Sequence, residues 1–165
     1  MASKRGIFLT IGILVAITIT SFVFWLLPQN YEMTFVVSDF ESHLDGIKNV
    51  HVVISETVDL EFQNLLNGHI SPLEYIEQAE RSSTQINSLI IQLVESEATE
   101  EWQESYINYI ESLKQYNTYI RETIIAANMI EDEIESSKVE EFITKISQFK
   151  ENSEFHILKS DEARP

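Results

Sequence analysis

Cysteine is absent from the chain. That excludes disulfides, thiol nucleophiles, thiolate metal sites, iron–sulfur clusters and lipid attachment to a cysteine. Glycine and proline are scarce, four and three in 165 residues, so few turns are written into the sequence and a many-stranded sheet is disfavoured against long helices. Basic residues are few. Eleven Lys and Arg stand against 27 Asp and Glu, a formal charge of −16. A surface of that sign repels a phosphate backbone, which excludes nucleic acid as a partner and favours cations or basic protein surfaces. Apolar residues make up 44% of the chain, enough for a packed core.

Catalytic spacings are missing too. Di-iron bundles use Glu-x-x-His, but the positions three before the four histidines are Phe40, Lys48, Leu66 and Ser153. There is no H-E-x-x-H, no EF-hand loop, no phosphate-cradling glycine loop and no G-x-S-x-G elbow. No enzymatic activity and no cofactor is expected. Asp39 and His43, spaced i,i+4, are the one weak metal candidate, with solvent-facing side chains the plainer reading.

What the chain does have begins at its N-terminus. Gly6 to Leu27 is a run of 22 residues without a charge. As a helix it is about 33 Å long, enough to cross a hydrocarbon core of about 30 Å. A cleaved signal has a shorter apolar region and a small-residue cleavage site, and no A-x-A follows this run. A retained signal anchor over 6–28 is therefore expected. Lys4 and Arg5 precede it and the next basic residue is Lys48, so residues 1–5 are expected in the cytoplasm and residues 29–165 outside the cell membrane. Trp25 and Tyr31 fall where interfacial aromatics anchor a span. Gly12, Ala16 and Thr20 recur every four residues, a face on which another membrane helix can pack closely.

Arg5-Gly6 followed at once by a long apolar helix resembles the processing signal of type IV pilins and archaeal pilin-like proteins. That resemblance implies cleavage after Gly6, leaving Ile7 first. It covers about the first 25 residues, and position 11 is Ile where many pilins carry an acid.

Residues 29–158 read as an acidic bundle of four antiparallel helices, about 38–67, 71–97, 99–135 and 137–157, with a disordered tail over 159–165. The seams step by three and four, as bundles and coiled coils do. The first comprises Phe40, Leu44, Ile47, His51, Ile54, Val58, Phe62 and Leu65. Its β-branched run Val50 to Ile54 and the alternating Val58, Leu60 and Phe62 leave a strand near 50–62 open. The second seam is Ile76, Ala79, Ser83, Ile86, Ile90 and Leu93. The third runs Trp102, Tyr106, Tyr109, Leu113, Tyr116, Ile120, Thr123, Ala127, Ile130 and Ile134, and the fourth Val139, Phe142, Ile146 and Phe149. One unbroken helix over 72–157 is excluded by register, because the apolar face jumps near residues 97–102 and 134–139. Capping residues stand at Ser38-Asp39, Ser71-Pro72, Thr99 and Ser137.

The aromatic row Trp102, Tyr106, Tyr109 and Tyr116 is the most distinctive feature outside the apolar run, expected to form either the bundle seam or the lining of a polar ligand pocket. The sequence thus points to an all-α, non-enzymatic, single-pass membrane protein. Its expected partners are the lipid bilayer and another membrane or extracytoplasmic protein, or a second copy of itself. Membrane-anchored four-helix bundles resemble the outer domains of chemoreceptors in architecture, without a shared motif, which implies a ligand-binding or sensory module as the alternative. This chain departs from them in having one apolar run and about five residues before it.

Overall fold

The computed structural model describes residues 37–165, all within the second of two units, Thr34–Pro165. The apolar run, with Lys4, Arg5, Gly12, Ala16, Thr20, Trp25 and Tyr31, lies outside the described residues. Among the described residues there are four helices and no strand: α1 Phe40–Leu66, α2 Pro72–Glu95, α3 Glu100–Glu131 and α4 Ser136–Glu162. None of them is long and apolar enough to cross a membrane.

Sequential helices are antiparallel, and side-chain pairs fix the registers. Tyr75 meets Thr123 and Ser83 meets Asn117 between α2 and α3, one number rising as the other falls. Ser105 meets Ser160 and Ser112 meets Ser153 between α3 and α4. Across the α1–α4 flank, Asp45 pairs with Arg164, Lys48 with Asp161 and Asp59 with Lys150.

Residues 50–62 are helical throughout, so the strand is ruled out there. The reason is burial. Every seam position from Leu44 to Leu65 is buried, and only the 3.6-residue period puts that set on one face. Asp39 caps α1, its Oδ1 accepting from the Ser42 N–H at 3.0 Å, and Ser71 caps α2 with Pro72 in the first turn. Thr99 and Glu135 hold the cap positions of α3 and α4 without a side-chain cap bond, so Ser137 is not the cap expected of it.

Several boundaries and seams differ from expectation. The third helix ends at Glu131, not near 135, because Glu133 turns left-handed (φ 53°). The Glu133 N–H then bonds the Ile130 carbonyl and the Ile134 N–H that of Met129, a Schellman termination. Ile134 therefore leaves the seam and is 41% exposed. Gly68 ends α1 in the same way with φ 71°. The buried face of α2 is rotated: Tyr75, Ala79, Ser82, Ile86, Leu89 and Leu93 face inward. Tyr75 displaces Ile76 from the seam because its ring is buried with its hydroxyl donating to Thr123 on α3, and Ser82 and Leu89 follow in the same register. The fourth helix continues to Glu162, through the expected tail, because buried Ser153 and Ser160 extend its seam and Asp161 and Arg164 tie its end to α1.

Candidate functional site

The aromatic row is built on α3. Tyr106, Tyr109 and Tyr116 lie along one face of the helix and are buried, while Trp102, one turn before Tyr106, is half-buried with its ring edge-on to it. Each phenol crosses to α1. Tyr106 donates to the Phe40 carbonyl at 2.9 Å, and its oxygen lies 3.0 Å from His43 Nδ1. A phenol has one proton, and that proton is committed to Phe40. His43 Nδ1 therefore carries the hydrogen and donates. Tyr109 pairs with His51 Nδ1 at 2.9 Å, and Tyr116 donates to the Ser55 carbonyl at 3.3 Å. On the α2 side, Tyr75 donates to Thr123, which passes its own proton to the Ile120 carbonyl. The buried phenols and the Thr123 hydroxyl are here satisfied by partners on the facing helices or by the backbone, as a packed interior requires.

Electrostatics follow from burial. It pushes the Tyr106 and Tyr119 phenols up to about 12 and those of Tyr75, Tyr109 and Tyr116 further, so all are neutral donors at neutral pH. The His51 imidazole is pushed down to about 4 by the same cause, and His43 is lowered in the same direction. His51 is wedged edge-on between the Tyr109 and Tyr116 rings, with centroids 5.9 and 5.0 Å away. Its Nε2 is buried without a hydrogen-bond partner. The Lys48 ammonium sits 5.3 Å over the Tyr109 ring. This arrangement fills space between α1 and α3. Tyr106, Tyr109 and Tyr116 belong to the buried core of the bundle, and Trp102 packs against it.

Asp39 and His43, the weak metal candidates, are each engaged by a neighbouring hydroxyl. Both Asp39 oxygens accept from Ser42, which holds its carboxyl below the usual carboxylate range, and His43 is engaged by Tyr106. Among the described residues no group of three or more His, Asp or Glu is placed to hold a metal ion. His69 ends the α1 turn, its N–H bonding the Asn64 carbonyl, and His156 lies on α4.

Reasoning on apolar residues missed the serine seam. Ser105, Ser112, Ser153 and Ser160 are fully or almost fully buried; the Ser105 hydroxyl donates to the Ser160 carbonyl at 2.7 Å, and the Ser112 and Ser153 hydroxyls lie 3.0 Å apart. The signal was present as small residues seven apart on both helices.

Concave surfaces among the described residues lie elsewhere. Between α1 and α2 a groove of about 500 Å³ is lined by Val50, Val53, Thr57, Gln85, Ser88 and Leu89, among others, with no charged residue. At the end where α1 turns into α2 and α3 into α4, a cleft of about 680 Å³ has a mixed lining in which aliphatic side chains stand beside Ser136 and two glutamates. No known protein family, no characterised protein and no solved structure matches this chain.

Proposed function

We propose that the protein is a non-enzymatic, single-pass membrane protein whose extracytoplasmic bundle mediates protein–protein contact, as an accessory subunit of a membrane complex does. The observation that carries this reading is the outer strip of α1. Val50, Val53, Thr57 and Leu60 are spaced three, four and three apart, and the first three line an uncharged groove. Val53 and Leu60 are 63% and 60% exposed. Seam spacing on an exposed face of an otherwise acid-coated bundle marks a surface for a further helix. The uncharged run Gly6–Leu27, the basic pair before it and its small-residue face support a tether in the cell membrane beside a partner. Crosslinking of the intact protein in membranes tests the reading. A specific adduct is expected, whereas a lone monomer under mild solubilisation refutes it.

The α1–α2 groove also favours a second reading, a ligand-binding or sensory module acting through a partner. Its valines and Gln85 and Ser88 suit an uncharged ligand of mixed polarity. A thermal-shift screen separates the two, because a ligand bound by the folded state raises the melting temperature by mass action. Sequencing the mature N-terminus decides the pilin-like alternative, which requires Ile7 as the first residue.

A further inference from the structure

The cleft at the loop end combines aliphatic wall residues with charged residues of one sign. Leu65 and Val139 are buried in its wall, while Leu66 and Ile134 are 37% and 41% exposed along it. Glu133 and Glu140 line it as well. They belong to a stretch, residues 131–141, in which six of eleven residues are acidic. Its one basic residue, Lys138, lies 3.9 Å from Glu135. The last turn of α3 contains no basic residue, so the negative end of that helix dipole adds to the same field.

That combination selects an occupant. The aliphatic lining needs apolar side chains to cover it, and the rim needs positive charge beside them. A second copy of this chain would bring its own carboxylates against these, and an anionic lipid surface is repelled for the same reason. The walls are helices, a setting in which an amphipathic helix seats its apolar face. We infer that the loop-end cleft docks a basic amphipathic helix of a partner protein, with aliphatic side chains against Leu66 and Ile134 and Lys or Arg against Glu133 and Glu140. The inference rests on the interaction reading above and names the chemistry of the partner.

The test titrates the full chain in mild detergent with three labelled synthetic peptides: a leucine–lysine amphipathic helix, its leucine–glutamate counterpart, and a serine–lysine peptide of equal charge. Saturable binding of the leucine–lysine helix alone is expected. Glu133→Lys with Glu140→Lys should weaken it by roughly tenfold or more, and Ile134→Ser by several-fold. The matched pair Glu151→Lys with Glu154→Lys, on exposed α4 positions away from the cleft, should change it by less than about twofold. Helix content by circular dichroism checks each variant, and Leu66→Gln replaces Ile134→Ser if the latter unfolds.

Equal binding of the serine–lysine peptide overturns the inference, as does equal weakening by the α4 control pair. Loss of self-association in Ile134→Ser, with no peptide bound by the parent chain, would make the occupant a second copy and also overturn it. If membrane crosslinks of the intact protein persist in the Glu133→Lys/Glu140→Lys variant, the interaction reading stands and the cleft is not its surface. A lone monomer in membranes removes both.

Discussion

The two flanks of α3 meet their neighbours by opposite means. Toward α4 it presents Ser105 and Ser112 to Ser160 and Ser153, and this is the closest-packed helix pair in the bundle. Toward α1 it presents Tyr106, Tyr109 and Tyr116, whose phenols reach across to the α1 backbone and histidines. On that side α1 and α4 nowhere bring their Cα atoms within 8 Å, and long Lys and Arg side chains bridge the gap. Small hydroxyls draw backbones together, and large aromatic rings hold them apart while filling the space between. One helix therefore sets two spacings through residue size alone.

Removing a prop should have the largest effect. Tyr109 is buried at the centre of the wide flank, against His51 and beneath Lys48. Tyr109→Ala leaves a cavity and an unpaired imidazole, for an expected loss of about 3–5 kcal/mol in chemical denaturation of the chain. Tyr109→Phe keeps the volume and removes only the hydroxyl, so a loss of about 1–3 kcal/mol is expected. Similar losses in both variants would show that the ring itself props nothing.

Acid should attack the same flank next. His51 titrates near 4 in the folded chain against 6.5 when unfolded, because burial disfavours its charged form. Between those values the unfolded chain binds the extra proton, so stability is full above about pH 6.5 and falls as pH drops toward 4. The total is about 3 kcal/mol. His43 shifts in the same direction, so the readout is the difference between the parent and His51→Gln, which can still bond Tyr109 but cannot titrate. Denaturation midpoints that fall equally in both from pH 6.5 to 4 would exclude His51 as the cause.

The tight flank should respond to size in the opposite sense. Ser112 is fully buried 3.0 Å from Ser153. Ser112→Leu adds apolar volume, which on the wide flank would fill space, but here it must push two helices apart. A loss of about 1–3 kcal/mol is expected from overpacking. Ser112→Ala with Ser153→Ala removes both hydroxyls together and should be close to neutral. A stabilising leucine would mean that the two flanks do not differ in spacing.

The wide flank is the more legible of the two in the sequence. Leu44, Ile47, His51, Ile54, Val58, Phe62 and Leu65 announce the buried face of α1 by hydropathy and spacing, and the tyrosines announce that of α3. Serine carries no hydropathy signal, so by apolar spacing the seam of α4 stops at Phe149 and its last turns resemble a tail. The buried Ser153 and Ser160 continue it instead. On α2 the choice between neighbours is settled by partners rather than pattern: Ile76 fits the heptad, yet Tyr75 finds Thr123 and is buried. The loop-end cleft is legible as an acidic run, but its apolar wall needs the left-handed turn at Glu133 that swings Ile134 out of the α3 seam.

The smallest effect concerns how the wide flank finds its register. Along it the charges alternate in sense: acid on α1 with base just past α4 at Asp45–Arg164, the reverse at Lys48–Asp161, and the first sense again at Asp59–Lys150. A slide of α4 by a turn or two would set like charges against one another, so the pattern selects one alignment where no close backbone packing does. The Asp59–Lys150 pair, 2.6 Å apart and about a third exposed on each side, is the easiest to invert. Each single reversal, Asp59→Lys or Lys150→Asp, should cost up to about 1 kcal/mol, and the double reversal should recover most of it. A double-mutant cycle by denaturation reads the coupling directly. Coupling indistinguishable from zero would leave the tyrosines alone to align α1, and the pairs would be bridges without a register role.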